Sequence, residues 1–154
     1  MRLRSTVVGV VACAALACAS GPPRPQGTAG LPALAPDLGR LILYHTNGDD
    51  AAMFHPALSV DGEPVGDLPL GTFRYVDRAP GVHLIAIKKQ PNVSAFGGQA
   101  PTRPVDVLLA PGETTYVRFD VEVTPVWIES SLTPMDPITA QSHLSTLRQA
   151  DSGS

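Results

Sequence analysis

The chain has 154 residues, 44% hydrophobic and only 16% charged, a balance that allows one globular domain with appendages and argues against disorder. The formal net charge is −3; setting Arg2 and Arg4 aside from the 11 basic residues leaves 9 against 14 acidic ones, a net of −5. A phosphate-binding surface needs clustered cations, so nucleic acid is excluded as an expected partner. Sixteen prolines at short intervals suit a β-rich chain with many turns.

Residues 1–19 read as an export signal. Arg2 and Arg4 form a cationic start, Ser5 to Ala19 carry no charge, and Val7-Val8-Gly9-Val10-Val11-Ala12 passes into small residues. That run is shorter than the about 20 apolar residues of a membrane span, and Gly21-Pro22-Pro23 ends any helix. Both cysteines, Cys13 and Cys18, lie inside the segment, so the remaining chain has no disulfide framework. Ala15-Leu16-Ala17 before Cys18 resembles the lipobox of bacterial lipoproteins. The resemblance implies cleavage after residue 17 and attachment of diacylglycerol and palmitate-type chains at Cys18, the new N-terminus. At about 0.8 kcal/mol per buried methylene, two or three acyl chains hold a protein on a membrane. Ala15 departs from the usual Leu or Val of that motif, and Cys13, after Val10-Val11-Ala12, fits locally but leaves an apolar stretch of about eight residues. Ordinary secretory cleavage is the alternative, since Ala15-Leu16-Ala17 and Ala17-Cys18-Ala19 are both A-x-A sites, and it would release a soluble periplasmic domain. Ala19-Ser20 lacks the aspartate that marks inner-membrane retention, which favours the outer membrane.

From Ser20 to Pro36 the chain is rich in Pro, Gly and Ala, predicting a semi-extended tether over residues 18–37 at roughly 3 Å per residue. A domain is expected over residues 38–148. Its strand runs are 39–45, 57–60, 63–66, 72–77, 82–87, 105–109, 114–124 and 126–129, separated by turn dipeptides such as Asp61-Gly62, Pro80-Gly81 and Pro111-Gly112. Phe73 and Tyr75 share one face of their run. Thr115, Val117, Phe119, Val121 and Val123 alternate strictly with Tyr116, Arg118, Asp120 and Glu122, predicting one core face and one wet face. Asn92 to Pro104 reads as the longest loop. Residues 137–149 predict a short helix with Pro137 in its first turn and Ile138, Leu144 and Leu147 near one face; residues 149–154 read as a disordered tail. The expected fold is all-β: a small antiparallel β-sandwich of seven or eight strands with a short C-terminal helix.

The order Gly39-Arg40-Leu41-Ile42-Leu43-Tyr44, Val60-Asp61-Gly62, Val65-Gly66-Asp67-Leu68, Pro80-Gly81-Val82-His83-Leu84 and Pro111-Gly112-Glu113-Thr114-Thr115-Tyr116-Val117 resembles the bacterial lipoprotein family called domain of unknown function 2846. It is similar, more distantly, to the PEGA-type β-domains of bacterial surface proteins. The resemblance covers residues 38 to 148. It implies a β-domain in the cell envelope and carries over no catalytic residue.

No recognisable catalytic motif stands out. The histidines His45, His55, His83 and His143 lack metal spacing, and no G-x-S-x-G, S-x-x-K, phosphate loop or GxGxxG occurs. His45 and His55 flank Asp49-Asp50, the one conceivable loop metal site or hydrolase constellation, and are not expected to converge. His83, between Val82 and Leu84, reads as a sheet-surface residue. Asp120 or Glu122 with Glu129 could assemble a carboxylate pair, though neighbouring exposed strand positions explain them more simply. Lys88-Lys89 reads as a protected strand end. Tyr75, Tyr116 and Trp127 are the candidate binding surface for a glycan or protein, with Trp127 packed under the C-terminal segment as the alternative. The expectation is a non-enzymatic envelope lipoprotein, with no cofactor and no metal, docking an envelope protein or a cell-wall polymer.

Overall fold

The computed structural model describes residues 27–48, 55–89, 102–123 and 128–151. The first apolar run forms β1 (Gly39–His45), and all seven of its residues are buried. Side chains alternate between the faces of a strand, so this requires both faces of its sheet to be covered. Leu41 and Leu43 enter a core between two sheets, whereas Ile42 and Tyr44 enter a second cluster on the opposite face.

The remaining elements are β2 (Ala57–Val60), β3 (Glu63–Asp67), β4 (Thr72–Arg78), β5 (Gly81–Lys89), β6 (Val105–Leu109), β7 (Thr114–Val123), β8 (Ile128–Met135), α1 (Pro137–Leu144) and β9 (Arg148–Gln149). A five-stranded sheet in the order β8-β7-β1-β4-β9 faces a four-stranded sheet in the order β3-β2-β5-β6. This is the all-β sandwich with a short C-terminal helix that the strand runs predict. The additional strand is β9, too short to read from a pattern. Two pairs, β1 with β7 and β4 with β9, run parallel rather than antiparallel. Parallel neighbours need a long crossover: the whole second sheet supplies it for β1 and β7, and α1 lies on the way to β9.

Asp61 and Gly62 both adopt positive φ, 51° and 80°, making the two-residue turn between β2 and β3 that their sequence predicts. Arg74 donates to the Asp67 carbonyl and Arg78 pairs with Glu63 at 2.7 Å, tying β4 to β3 across the side of the sandwich.

On the outer face of the five-stranded sheet, Ile42, Tyr44, Phe73 and Tyr116 pack under Ala140 and Leu144 of α1 and under Leu147. The expected wet face of β7 is therefore covered at Tyr116, and only its far end, at Glu122, is exposed. Asp136 caps the helix by accepting from the Thr139 amide at 2.9 Å, and Pro137 follows at its start. Ile138, expected on the buried face, is 84% exposed. The inward phase is set by residues 140 and 144, and position 138 lies on the other side of the turn. The helix ends at Leu144, short of the expected 149, because the chain turns to join β4: the Arg148 amide donates to Gly71 and the Ala150 amide to Phe73. Gln149 and Ala150, expected in the tail, thus belong to the sheet edge.

Gly27 to Asp37, the described part of the segment read as tether, lies on the domain. Gly27 donates to the Leu147 carbonyl at 2.9 Å, and Leu31 packs on the outer cluster. The signal segment, Cys18, Trp127 and most of the 92–104 loop lie outside the described residues. Leu144→Ala should cost about 2–5 kcal/mol in urea unfolding, the cost of a fully buried leucine, while Ile138→Ser should stay within about 0.5 kcal/mol.

Candidate functional site

Tyr75 and Tyr116 do come together: in register they flank Ile42, one from β4 and one from β7. They do not form an open aromatic platform. Tyr116 is 6% exposed beneath the helix layer, and the Arg40 guanidinium lies 4.8 Å from the centre of the Tyr75 ring. Arg40 is itself held tightly. Its Nε and Nη2 donate to the two carboxylate oxygens of Asp77 at 2.7 and 2.8 Å, and its Nη1 donates to the Pro32 carbonyl at 2.9 Å. The paired carboxylate, outweighing burial, raises the Arg40 pKa further above its ordinary range. Arg40 thereby fastens the N-terminal segment over Tyr75. Sequence reading missed this pair, because only the β1–β4 register places Arg40 opposite Asp77.

The histidines fall into unlike environments. His45 is fully buried, edge-on to the Phe119 ring at 4.9 Å, whereas His55 is exposed; Asp49 and Asp50 lie outside the described residues. His143 on α1 sits 3.1 Å from the hydroxyl of the buried Tyr44. Burial pushes the Tyr44 hydroxyl up to about 12, with nearby Asp120 and Asp136 adding to the shift and Arg118 opposing it. That phenol stays protonated at physiological pH and serves as a hydrogen-bonding core residue. Among the described residues no three His, Cys, Asp or Glu are placed to hold a metal.

Of the carboxylates, Asp120 is paired with Arg118 at 2.7 Å. Glu122 and Glu129 stand directly opposite each other on β7 and β8, both exposed. Like charges directly opposite each other on an open sheet repel and stand in solvent, not in an enclosed cleft.

His83 departs from the sequence reading. The alternation along β5 is as expected, but its phase is set by Ile85 and Ile87, both turned toward the inter-sheet core. His83 shares their side and is 12% exposed, while Val82 and Leu84 face solvent at 67% and 44%. Val82 pairs with Leu108 of β6, which is also 67% exposed. Three aliphatic side chains therefore stand together on the outer face of the four-stranded sheet, with Asp106 in register opposite Leu84. The outer face of the five-stranded sheet is covered over Ile42, Tyr44, Phe73 and Tyr116; this one carries an apolar patch open to solvent.

No protein-family model, no curated protein and no solved structure matches this chain. Among the described residues no helix is long and apolar enough to cross a membrane. Asp77→Ala, which leaves the Arg40 guanidinium mostly buried without its carboxylate, should cost about 2 kcal/mol or more in urea unfolding. A loss below about 0.5 kcal/mol would show that Arg40 does not hold the outer layer together.

Proposed function

We propose that the chain is a bacterial envelope lipoprotein, anchored through Cys18 and facing the periplasm, whose β-sandwich is a non-enzymatic interaction module. Its docking face is the outer face of the four-stranded sheet, and its partner is a protein of the envelope. The single observation that carries the reading of the domain is the exposed trio Val82, Leu84 and Leu108 on a sandwich whose other outer face is covered. Isolated exposed aliphatics are ordinary, whereas a contiguous apolar group on one sheet face supports the reading of an interaction surface.

Aliphatic side chains complement apolar protein surface. A cell-wall glycan would ask for exposed aromatic rings and convergent hydrogen-bond donors, whereas Tyr116 is buried and Tyr75 is half-buried against Arg40. Burying the three side chains would contribute about 1–2 kcal/mol each. That is too little for a tight complex between freely diffusing proteins. It is enough for partners held on one membrane, where effective concentrations reach the mM range. The anchor and the face thus support each other. The charge-free apolar run before Cys18, and the likeness of the turn motifs to an envelope lipoprotein family, support the location; Ala19-Ser20 favours the outer membrane.

Intact mass spectrometry of the membrane-extracted protein, beside Cys18→Ala, tests the anchor. The reading expects a chain beginning at Cys18 with acyl groups, lost in the variant; an unacylated chain would leave the soluble periplasmic reading in its place. Photo-crosslinking in cells tests the face: a photoreactive residue at Leu108 should give a discrete protein adduct, and one at Glu122 should not. Absence of an adduct at Leu108 would remove the docking face.

A further inference from the structure

Asp61 links two parts of the four-stranded sheet. Its main-chain amide donates to the Leu84 carbonyl at 2.8 Å, continuing the β2–β5 ladder by one residue. At φ 51° Asp61 is left-handed, and the Leu84 amide donates instead to its side-chain Oδ1, at 2.9 Å. The other carboxylate oxygen, Oδ2, lies 2.6 Å from Nδ1 of His83. Across the ring, Nε2 of His83 lies 2.8 Å from the carbonyl of Ala79, in the link between β4 and β5.

Both ring nitrogens of His83 thus face acceptors that cannot donate, a carboxylate and a carbonyl. A neutral imidazole has one N–H and can serve only one of them; the imidazolium has two and serves both. We propose that Asp61, His83 and Ala79 form a proton-operated clip, which fixes the β2–β3 turn and the β4–β5 link to β5 while His83 is protonated; when the proton leaves, the link at Ala79 is released and the bond that holds Asp61 loses its charge and weakens. The inference does not rest on the anchor or on the docking face. Its location still connects it to that face, because His83 lies between Val82 and Leu84.

The charged groups around the ring agree with this. Asp61 faces it from the β2–β3 turn. Arg78 at the end of β4 opposes the imidazolium charge, and Glu63 of β3 binds Arg78 at 2.7 Å. On β6 the register partner of His83 is the neutral Val107. The hydrogen bond to Asp61 is the largest influence and raises the His83 pKa above 6.5, with partial burial opposing it and the Ala79 carbonyl adding to the rise. The same bond, with that from Leu84, lowers the Asp61 pKa below 3.8. The raised histidine contributes its full stabilisation below its ordinary pKa and loses it as pH rises through the raised value. The lowered carboxylate contributes above its ordinary pKa and loses it as pH falls through the lowered value. The clip is therefore closed between the lowered Asp61 value and the raised His83 value, and it opens as pH rises through the latter.

Nitrogen-edited NMR of the His83 ring, with amide exchange at Leu84 referenced to Val117 in the core, tests the clip in the full chain. The expected result is two protonated ring nitrogens at about pH 6 and a titration above 6.5. Leu84 protection relative to Val117 should fall about threefold or more between about pH 6 and about pH 9. Asp61→Asn, which tolerates the left-handed turn, should bring the His83 titration back toward 6.5. His83→Gln, with Val117 protection confirming the fold, should flatten the Leu84 profile. A His83 titration at or below 6.5, or a Leu84 profile in His83→Gln that still follows the wild type, would overturn the clip.

Discussion

Burial of β1 on both of its faces is the constraint from which the rest of the molecule follows. Leu41 and Leu43 can be enclosed by a facing sheet, as in any sandwich, but Ile42 and Tyr44 point the other way and need their own cover. Leaving them in water would forgo about 1.5–3 kcal/mol for each large apolar side chain. The cover comes from segments on either side of the strand core: Gly27 to Leu38 before β1, and α1 with Leu147 after β8. Arg40, in β1 itself, joins the two kinds of order by binding Asp77 in the sheet and the Pro32 carbonyl in the covering segment. The parallel pairing of β9 with β4 belongs to the same solution, since the chain leaving the helix must return along the sheet it covers.

That constraint was partly legible in the sequence. The unbroken run Leu41-Ile42-Leu43-Tyr44 is the pattern of a strand buried on both faces, and the alternation of β7 located one core face from Val117 to Val121, although Val123 at its end is 44% exposed. What periodicity does not carry is the identity of the cover. Tyr116 stands among Arg118, Asp120 and Glu122, so its side of β7 reads as wet, and only the tertiary placement of α1 makes it interior. Phase was the second difficulty. In Val82-His83-Leu84 the polar residue is the natural choice for the outside, yet Ile85 and Ile87 further along the strand outweigh it and turn His83 inward. Ile138 is the corresponding case on the helix, where Ala140 and Leu144 fix the buried face. The Asp61-Gly62 turn, whose chemistry is local, was fully readable. The Arg40–Asp77 pair was not, because it exists only through the β1–β4 register.

The inward turn of His83 has two effects at one place. It leaves Val82 and Leu84 in solvent, and it puts an imidazole between two acceptors supplied by two different turns. The apolar face and the proton-sensitive contact are thus products of one register. The five-stranded sheet, in contrast, spends its polar groups on closure: Arg40 with Asp77, and Tyr44 with His143. One side of the sandwich is built to stay shut, and the other presents aliphatic surface beside a contact that responds to pH.

The most direct test of this asymmetry is carbene footprinting read by mass spectrometry, on the purified protein and on the same protein in intact cells. The account predicts strong labelling of Val82, Leu84 and Leu108 after purification, little labelling of Ile42, Tyr44 and Tyr116 in either sample, and loss of the first set in cells, where a partner covers it. Labelling of Tyr116 as strong as that of Leu108, or equal labelling of Leu108 in cells and in solution, would contradict it.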